Sequence, residues 1–290
     1  MTKPWAEAYT ETITGRMAKT MFWNAKNGRV DLNGGTMPYV SFGTGPKTLI
    51  ILPGLSDGLA TVEGKALLLA KPYAPYFHDF TIYMFSRIDP LPDDHSIRNM
   101  VADQAAALQA LGVERAFVLG VSQGGMIAQY LAIDHPELVE KLVLAVTAPC
   151  VNDVILSCVP NWMDMAERGD HKALMIDTAE RSYSPAHLKK YRKMYPLLSF
   201  VGRPKTYDRF LANARAILSF DATAELPKIA CSTLILGGEE DRIVGPAASH
   251  ALADLIPNST LHLYPSLGHA AYEEAGDFYE RVFSFLQTHN

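Results

Sequence analysis

The chain has 290 residues, 48% hydrophobic and 20% charged, with 26 Lys/Arg against 31 Asp/Glu and a formal net charge of −5. This composition excludes a disordered chain, which could not bury enough apolar surface to offset its ordering entropy. The acidic balance argues against nucleic acid as a partner.

In chain order, the first twenty residues carry Lys3, Glu7, Glu11, Arg16 and Lys19 with no apolar stretch between them. No cleavable signal peptide is predicted from such a pattern. Residues 29–32 and 38–42, joined through Asn33-Gly34-Gly35, read as an antiparallel hairpin at a sheet edge. Short apolar runs rich in β-branched residues then recur at 47–52 (KTLIIL), 81–85, 116–121 (AFVLGV), 141–146, 233–236 and 260–264. Several are apolar on successive residues, as expected of strands buried on both faces of a mainly parallel sheet. Helical patterns at 96–111, 123–133, 246–255 and 272–286 lie between or after them. This alternation predicts an α/β fold: a mainly parallel open sheet with helices on both faces.

The uncharged run 116–133 is long enough to span a membrane, but it contains Gly120, Ser122, Gln123, Gly124, Gly125 and Gln129. A lipid-facing helix is therefore not expected, and the chain reads as a soluble, cytoplasmic protein without a membrane partner. Cys150, Cys158 and Cys231 have no CxxC or Cys/His metal spacing and read as reduced structural thiols.

Between 151 and 220 the alternation stops and only helix signals remain. Ser184-Pro185 is an N-cap followed by proline at the first helical position. Thr206 is placed to cap a second helix with Phe210, Ala214, Ile217 and Leu218 on one face. The expected organisation is a core of residues 1–150 and 221–290 with a helical lid, 151–220, inserted before the last two strands. This segment holds 11 Lys/Arg and 7 Asp/Glu, a net charge of +4. Its run Lys189, Lys190, Arg192, Lys193 is most simply a solvated helix face.

The pattern Gly-x-Ser-x-Gly occurs twice, centred on Ser56 and Ser122. A nucleophile elbow needs a strand running straight into a helix, with the serine on the strained turn between them. Ser122 satisfies this: AFVLGV is a strand and Met126, Ile127, Tyr130 and Leu131 begin an amphipathic helix at once. Around Ser56, Pro53 ends the strand early, Asp57 places a carboxylate next to the serine, and Gly58 and Gly64 weaken any following helix. The bland alternative for Ser122 is a glycine-rich strand-to-helix turn without chemistry.

A serine hydroxyl needs a base, and the base an orienting acid. The loop after 233–236 supplies Glu239, Glu240 and Asp241; the loop after 260–264 supplies His269. Both follow strands at the same sheet edge as Ser122, giving the order Ser, acid, His. Most of the nine histidines, among them His135, His262 and His289, need no function.

On these residues the chain resembles the α/β-hydrolase superfamily, in particular its small bacterial lid-bearing esterases, lactonases and cofactor-free perhydrolases. The resemblance implies Ser122 as nucleophile, His269 as base in a Gly-His, and Asp241 as acid before Arg242-Ile243-Val244. It also implies that 52–55 (LPGL) corresponds to an oxyanion loop, with the Leu55 and Gln123 backbone amides as donors. Two departures stand out. Pro53 replaces the usual His of that loop, and Ser86-Arg87-Ile88-Asp89-Pro90-Leu91 replaces the usual Asp-x-Arg-Gly-x-Gly-x-Ser.

The function expected is hydrolysis of a small, largely apolar carboxylic ester, lactone or thioester (EC 3.1.1) through an acyl-enzyme, without cofactor or metal. Rival readings are C–C bond hydrolysis, hydroxynitrile cleavage or peracid formation on the same triad, or a ligand-binding protein that retains it. The inserted segment carries Trp162, Met163, Met165, Met175, Met194, Tyr183, Tyr191, Tyr195 and Tyr207. These residues either line an apolar pocket or simply seal the segment against the core. Oligomeric state has no sequence signal.

Overall fold

The computed structural model describes residues 23–288. The sequence readings that fall on the first twenty residues and on His289 lie outside them. Eight strands form one sheet: β1 (Lys26–Leu32), β2 (Gly35–Phe42), β3 (Lys47–Leu52), β4 (Phe80–Phe85), β5 (Ala116–Val121), β6 (Val139–Ala145), β7 (Thr233–Gly238) and β8 (Ser259–Tyr264). Their order is β1-β2-β4-β3-β5-β6-β7-β8. The edge hairpin β1–β2 and the β2–β4 pair are antiparallel and every other pair is parallel.

Because side chains alternate across a pleated strand, each central strand feeds two cores. Ile50 and Leu52 enter the core on one face of the sheet, while Leu49 and Ile51 enter the core on the other. Leu142 and Leu144 oppose Val143 and Ala145 in the same way. This is why the strand sequences are apolar on consecutive residues.

The helices are α1 (Ala66–Ala70), α2 (Ile97–Ala110), α3 (Gln123–Asp134), α4 (Asp153–Glu167), α5 (His171–Ser182), α6 (Pro185–Tyr191), α7 (Asp208–Leu218), α8 (Pro246–Leu255), α9 (Ala271–Glu274) and α10 (Phe278–Gln287). Ser96 caps α2 by accepting from the Asn99 amide at 3.1 Å, and Ser184 caps α6 through the His187 amide. Helices α4 to α7 all lie between β6 and β7 in the chain. Among the described residues no helix is long and apolar enough to cross a membrane; the uncharged run 116–133 divides into β5 and α3.

Two expectations change in detail. The helix expected over 272–286 is two helices, α9 and α10, separated at residues 275–277, where Gly276 has low helix propensity. Helix α7 begins one residue later than a Thr206 cap would place it; its N-cap is Tyr207, with no side-chain capping bond.

The parallel register brings the strand ends together. Leu52 pairs with Gly120, Val121 with Ala145, Ala145 with Leu236, and Gly238 with Tyr264. The loops after β3, β5, β7 and β8 therefore emerge at one edge, where ligands bind in open α/β sheets.

Candidate active site

Ser122 stands between β5 and α3 with φ 53° and ψ −120°, a sparsely populated conformation for a residue with a side chain. Such strain costs about 1–3 kcal/mol and persists only where neighbours over-determine it. Here the Ser122 N–H donates to Ala145 O at 2.9 Å, and its carbonyl accepts from the Gly125 amide and the Thr147 hydroxyl, both at 2.8 Å. Small residues make the turn possible: a β-carbon on Gly120 would lie 2.5 Å from Gly124 O.

The loops after β7 and β8 deliver the partners. His269 Nε2 lies 3.0 Å from Ser122 Oγ, and His269 Nδ1 lies 2.8 Å from Asp241 Oδ2. In this arrangement Nδ1–H donates to the carboxylate and Nε2 is left to accept from the serine hydroxyl. Asp241 and His269 are both buried. The other Asp241 oxygen accepts from the Ile243 and Val244 amides at 2.8 and 3.0 Å. Burial opposes ionisation of Asp241, but the adjacent His269 and these donors outweigh it, and the carboxyl sits below its ordinary value. Glu239 and Glu240 are exposed to solvent.

Leu55 and Gln123 begin a 3-10 turn (Leu55–Gly58) and α3, so neither amide N–H has an acceptor within its own helix. The 3-10 turn lies against the serine: a β-carbon on Gly54 would be 3.2 Å from Ser122 Cβ. A cavity of about 170 Å³ opens above the serine. Its walls include Leu55, Ser56, Leu59, Met126, Ile155, Val159, Trp162, Met175, Thr178, Phe210, Ile217, Ile243, Val244, His269 and Tyr272. It is smaller than the roughly 300–1,000 Å³ of pockets for drug-sized ligands.

Of the tryptophan, methionine and tyrosine residues that the sequence analysis names in the segment between β6 and β7, Trp162 and Met175 reach this cavity. Met163, Met165 and Tyr207 pack against the core, Met194 is exposed, and Tyr183 and Tyr191 stack on either face of His187. Tyr195 donates to Glu180. Sealing therefore accounts for more of them than ligand contact does.

The segment is also fastened to the His269 loop. Ser184 N and Oγ donate to the two Glu274 carboxylate oxygens at 2.9 and 2.5 Å, Tyr183 OH donates to Glu273 at 2.6 Å, and the Ala270 amide donates to Ser182 O.

Ser56, in the other Gly-x-Ser-x-Gly, also lines the cavity, but the histidine hydrogen bond goes to Ser122. Its neighbour Asp57 is buried and structural: Oδ2 accepts from the Arg87 amide at 3.1 Å and from Arg209 Nη2 at 2.9 Å. Nothing in the residues around Asp57 marks these partners. Arg87 and Arg209 lie 30 and 152 residues from Asp57, and no short motif links them to it.

A family profile described as "alpha/beta hydrolase fold" matches residues 47–276. A 2-hydroxy-6-oxononadienedioate/2-hydroxy-6-oxononatrienedioate hydrolase of Pseudomonas putida is 28% identical over 285 residues, covering 93% of this chain and 97% of that protein. RutD of Pseudomonas syringae pv. syringae (strain B728a), by its name a candidate carbamate hydrolase, is 29% identical over 214 residues, 68% of this chain and 78% of its own. Among solved structures, the enol-lactonase of Burkholderia xenovorans LB400 superposes with a TM-score of 0.75 at 20% identity, over 90% of this chain and all of that one.

Proposed function

The chain belongs to the alpha/beta hydrolase fold family, and on that premise we propose that it is a serine hydrolase acting by acyl transfer to water on a small, largely apolar carboxylic ester, lactone or thioester. The observation that carries this reading is the continuous relay Ser122 Oγ–His269 Nε2, His269 Nδ1–Asp241 Oδ2, at 3.0 and 2.8 Å, at the base of an apolar cavity.

In this reading Ser122 Oγ attacks the substrate carbonyl as His269 Nε2 takes its proton. The Leu55 and Gln123 amides hold the oxyanion; one such donor is typically worth about 100- to 1,000-fold in kcat. Collapse of the tetrahedral species breaks the bond to the leaving alcohol, which His269 protonates. Water, deprotonated by His269, then releases the acid and restores the serine. Asp241 holds the imidazole tautomer and stabilises the imidazolium. Helices α4 to α7 act as a lid that roofs the acyl site.

A second reading, hydrolysis of a C–C bond next to a ketone, is supported by the Pseudomonas putida relative that matches almost the whole chain and is named for an oxo-acid.

Labelling with a fluorophosphonate, followed by peptide mass spectrometry, tests the nucleophile. Modification confined to Ser122 and abolished in Ser122→Ala is expected, with Ser56→Ala labelling normally. Modification of Ser56, or full turnover in Ser122→Ala, overturns the assignment. An ester, lactone and diketone panel then separates the two reactions. Folded protein that binds these compounds but turns over none is a binding protein.

A further inference from the structure

Pro53, which stands where the resemblance leads one to expect His, has neither an N–H nor a polar side chain with which to brace the turn carrying Leu55. What braces it comes from the opposite side. Arg87 lies just beyond β4, is buried to 4% exposure, and directs Nη2 at two acceptors at once: Pro53 O at 2.6 Å and Gln123 Oε1 at 3.0 Å. The first acceptor is two residues from Leu55, and the second belongs to Gln123 itself. These are the two residues whose amides hold the oxyanion in the proposed reaction.

The bridge has its own foundation. The other end of the Gln123 amide, Nε2, donates to Asn213 O at 2.8 Å, and Asn213 Nδ2 donates to Arg209 O. Arg209 in turn donates to Arg87 O, Ile88 O and Asp57 Oδ2. Arg209 and Asn213 both lie on α7, so the helical segment and the two arms of the oxyanion site share one buried network. Burial lowers the Arg87 pKa to about 10, opposed by Asp57, and leaves the guanidinium charged at neutral pH.

We propose that Arg87 is a positioning residue for oxyanion stabilisation, its Nη2 fixing the separation of the Leu55 and Gln123 amides by joining Pro53 O to the Gln123 side chain. The inference rests on the serine-hydrolase reading. It adds that this chain supplies from behind, through the residue two beyond β4, the brace that Pro53 cannot provide. Neither amide is touched by Arg87, so its effect on turnover is indirect, through geometry.

The test is p-nitrophenyl ester hydrolysis by Arg87→Met, Arg87→Lys and Gln123→Met, with active sites titrated by fluorophosphonate so that kcat refers to folded enzyme. Arg87→Met keeps the Asp57–Arg209 pair, because Asp57 meets the Arg87 backbone and not its guanidinium. Its kcat is expected to fall about 100-fold, the scale of one lost oxyanion donor, with KM unchanged within about threefold. Arg87→Lys should recover part of that loss. Combining Arg87→Met with Gln123→Met should cost little more than either alone, because both break one bridge.

A folded Arg87→Met enzyme with kcat within threefold of the parent overturns the proposal and leaves the serine-hydrolase reading standing. A parent enzyme that neither labels at Ser122 nor turns over defeats that reading first. If Arg87→Met does not fold, Gln123→Met decides: a fall in kcat at constant KM supports the bridge, and unchanged kcat removes it.

Discussion

Gly124, on the first turn of α3, packs so closely beneath Leu52 that a β-carbon on it would lie 1.9 Å from the Leu52 carbonyl oxygen. The obstacle is backbone of the central strand β3 and cannot swing aside. The last glycine of the Gly-x-Ser-x-Gly run is thus a packing requirement between α3 and β3. Gly124→Ala should destabilise the fold by at least the roughly 1–3 kcal/mol of ordinary overpacking. It should also displace Ser122, so that fluorophosphonate labelling slows together with the fall in urea midpoint. A variant with native midpoint and native labelling would mean that α3 can move without cost.

Asp241→Asn removes the charge that holds the His269 tautomer and should lower kcat by about 10,000-fold, on the scale of the same change in other triads. Its stability signature is separate. The folded-state carboxyl sits below its ordinary value of 3.8, so its ionisation contributes stability that is fully present above that value. The contribution is lost as pH falls through the folded value. The Tm advantage of the parent over Asp241→Asn should therefore shrink on acidification below about pH 4, as scanning calorimetry across pH 2–6 would show. A constant difference would contradict the linkage.

Met175 is half-buried and forms part of the cavity wall. Met175→Ala lengthens the space available to an acyl chain. Since one methylene in a fitted pocket is worth about 1–3 kcal/mol, or 10- to 200-fold, kcat/KM should move toward longer chains by one or two carbons. A panel of C2 to C10 esters would show it, and an unchanged optimum would place the acyl group elsewhere.

Glu274 ties the start of α6 to the loop carrying His269 through Ser184 N and Oγ. Hydrogen bonds to a charged group are worth about 1.5–3 kcal/mol. Glu274→Ala should therefore lower Tm and expose the segment between β6 and β7 to limited proteolysis before the sheet is cut. Uniform proteolytic resistance would show that other contacts suffice to hold the segment.

How much of this could be read from the residues follows from how local each feature is. The strands 47–52 and 116–121 are legible because burial on both faces forces consecutive apolar residues. The meeting of Ser122, Asp241 and His269 is legible because each follows a recognisable strand, and parallel strands end at one edge. The break at residues 275–277 is hidden because aromatic and aliphatic residues keep a helical rhythm across it. Arg87, Gln123 and Asn213 are invisible as a set: a buried polar side chain is specified by distant partners, and nothing in its immediate neighbours marks it. The same holds for the methionines and tyrosines of 151–220, whose composition suggests a pocket although most of them face the core, solvent or one another.

Ser122 and His269 are 147 residues apart in the chain, and Asp241 and His269 are 28 apart. Their meeting requires β5, β7 and β8 to be in register, which is among the slower acts of assembly because distant parallel strands must find each other first. A half-formed molecule can have its helices and yet hold an inert serine. During refolding, reactivity at Ser122 should therefore return after the far-ultraviolet signal, so that the nascent chain is chemically silent until its sheet is complete.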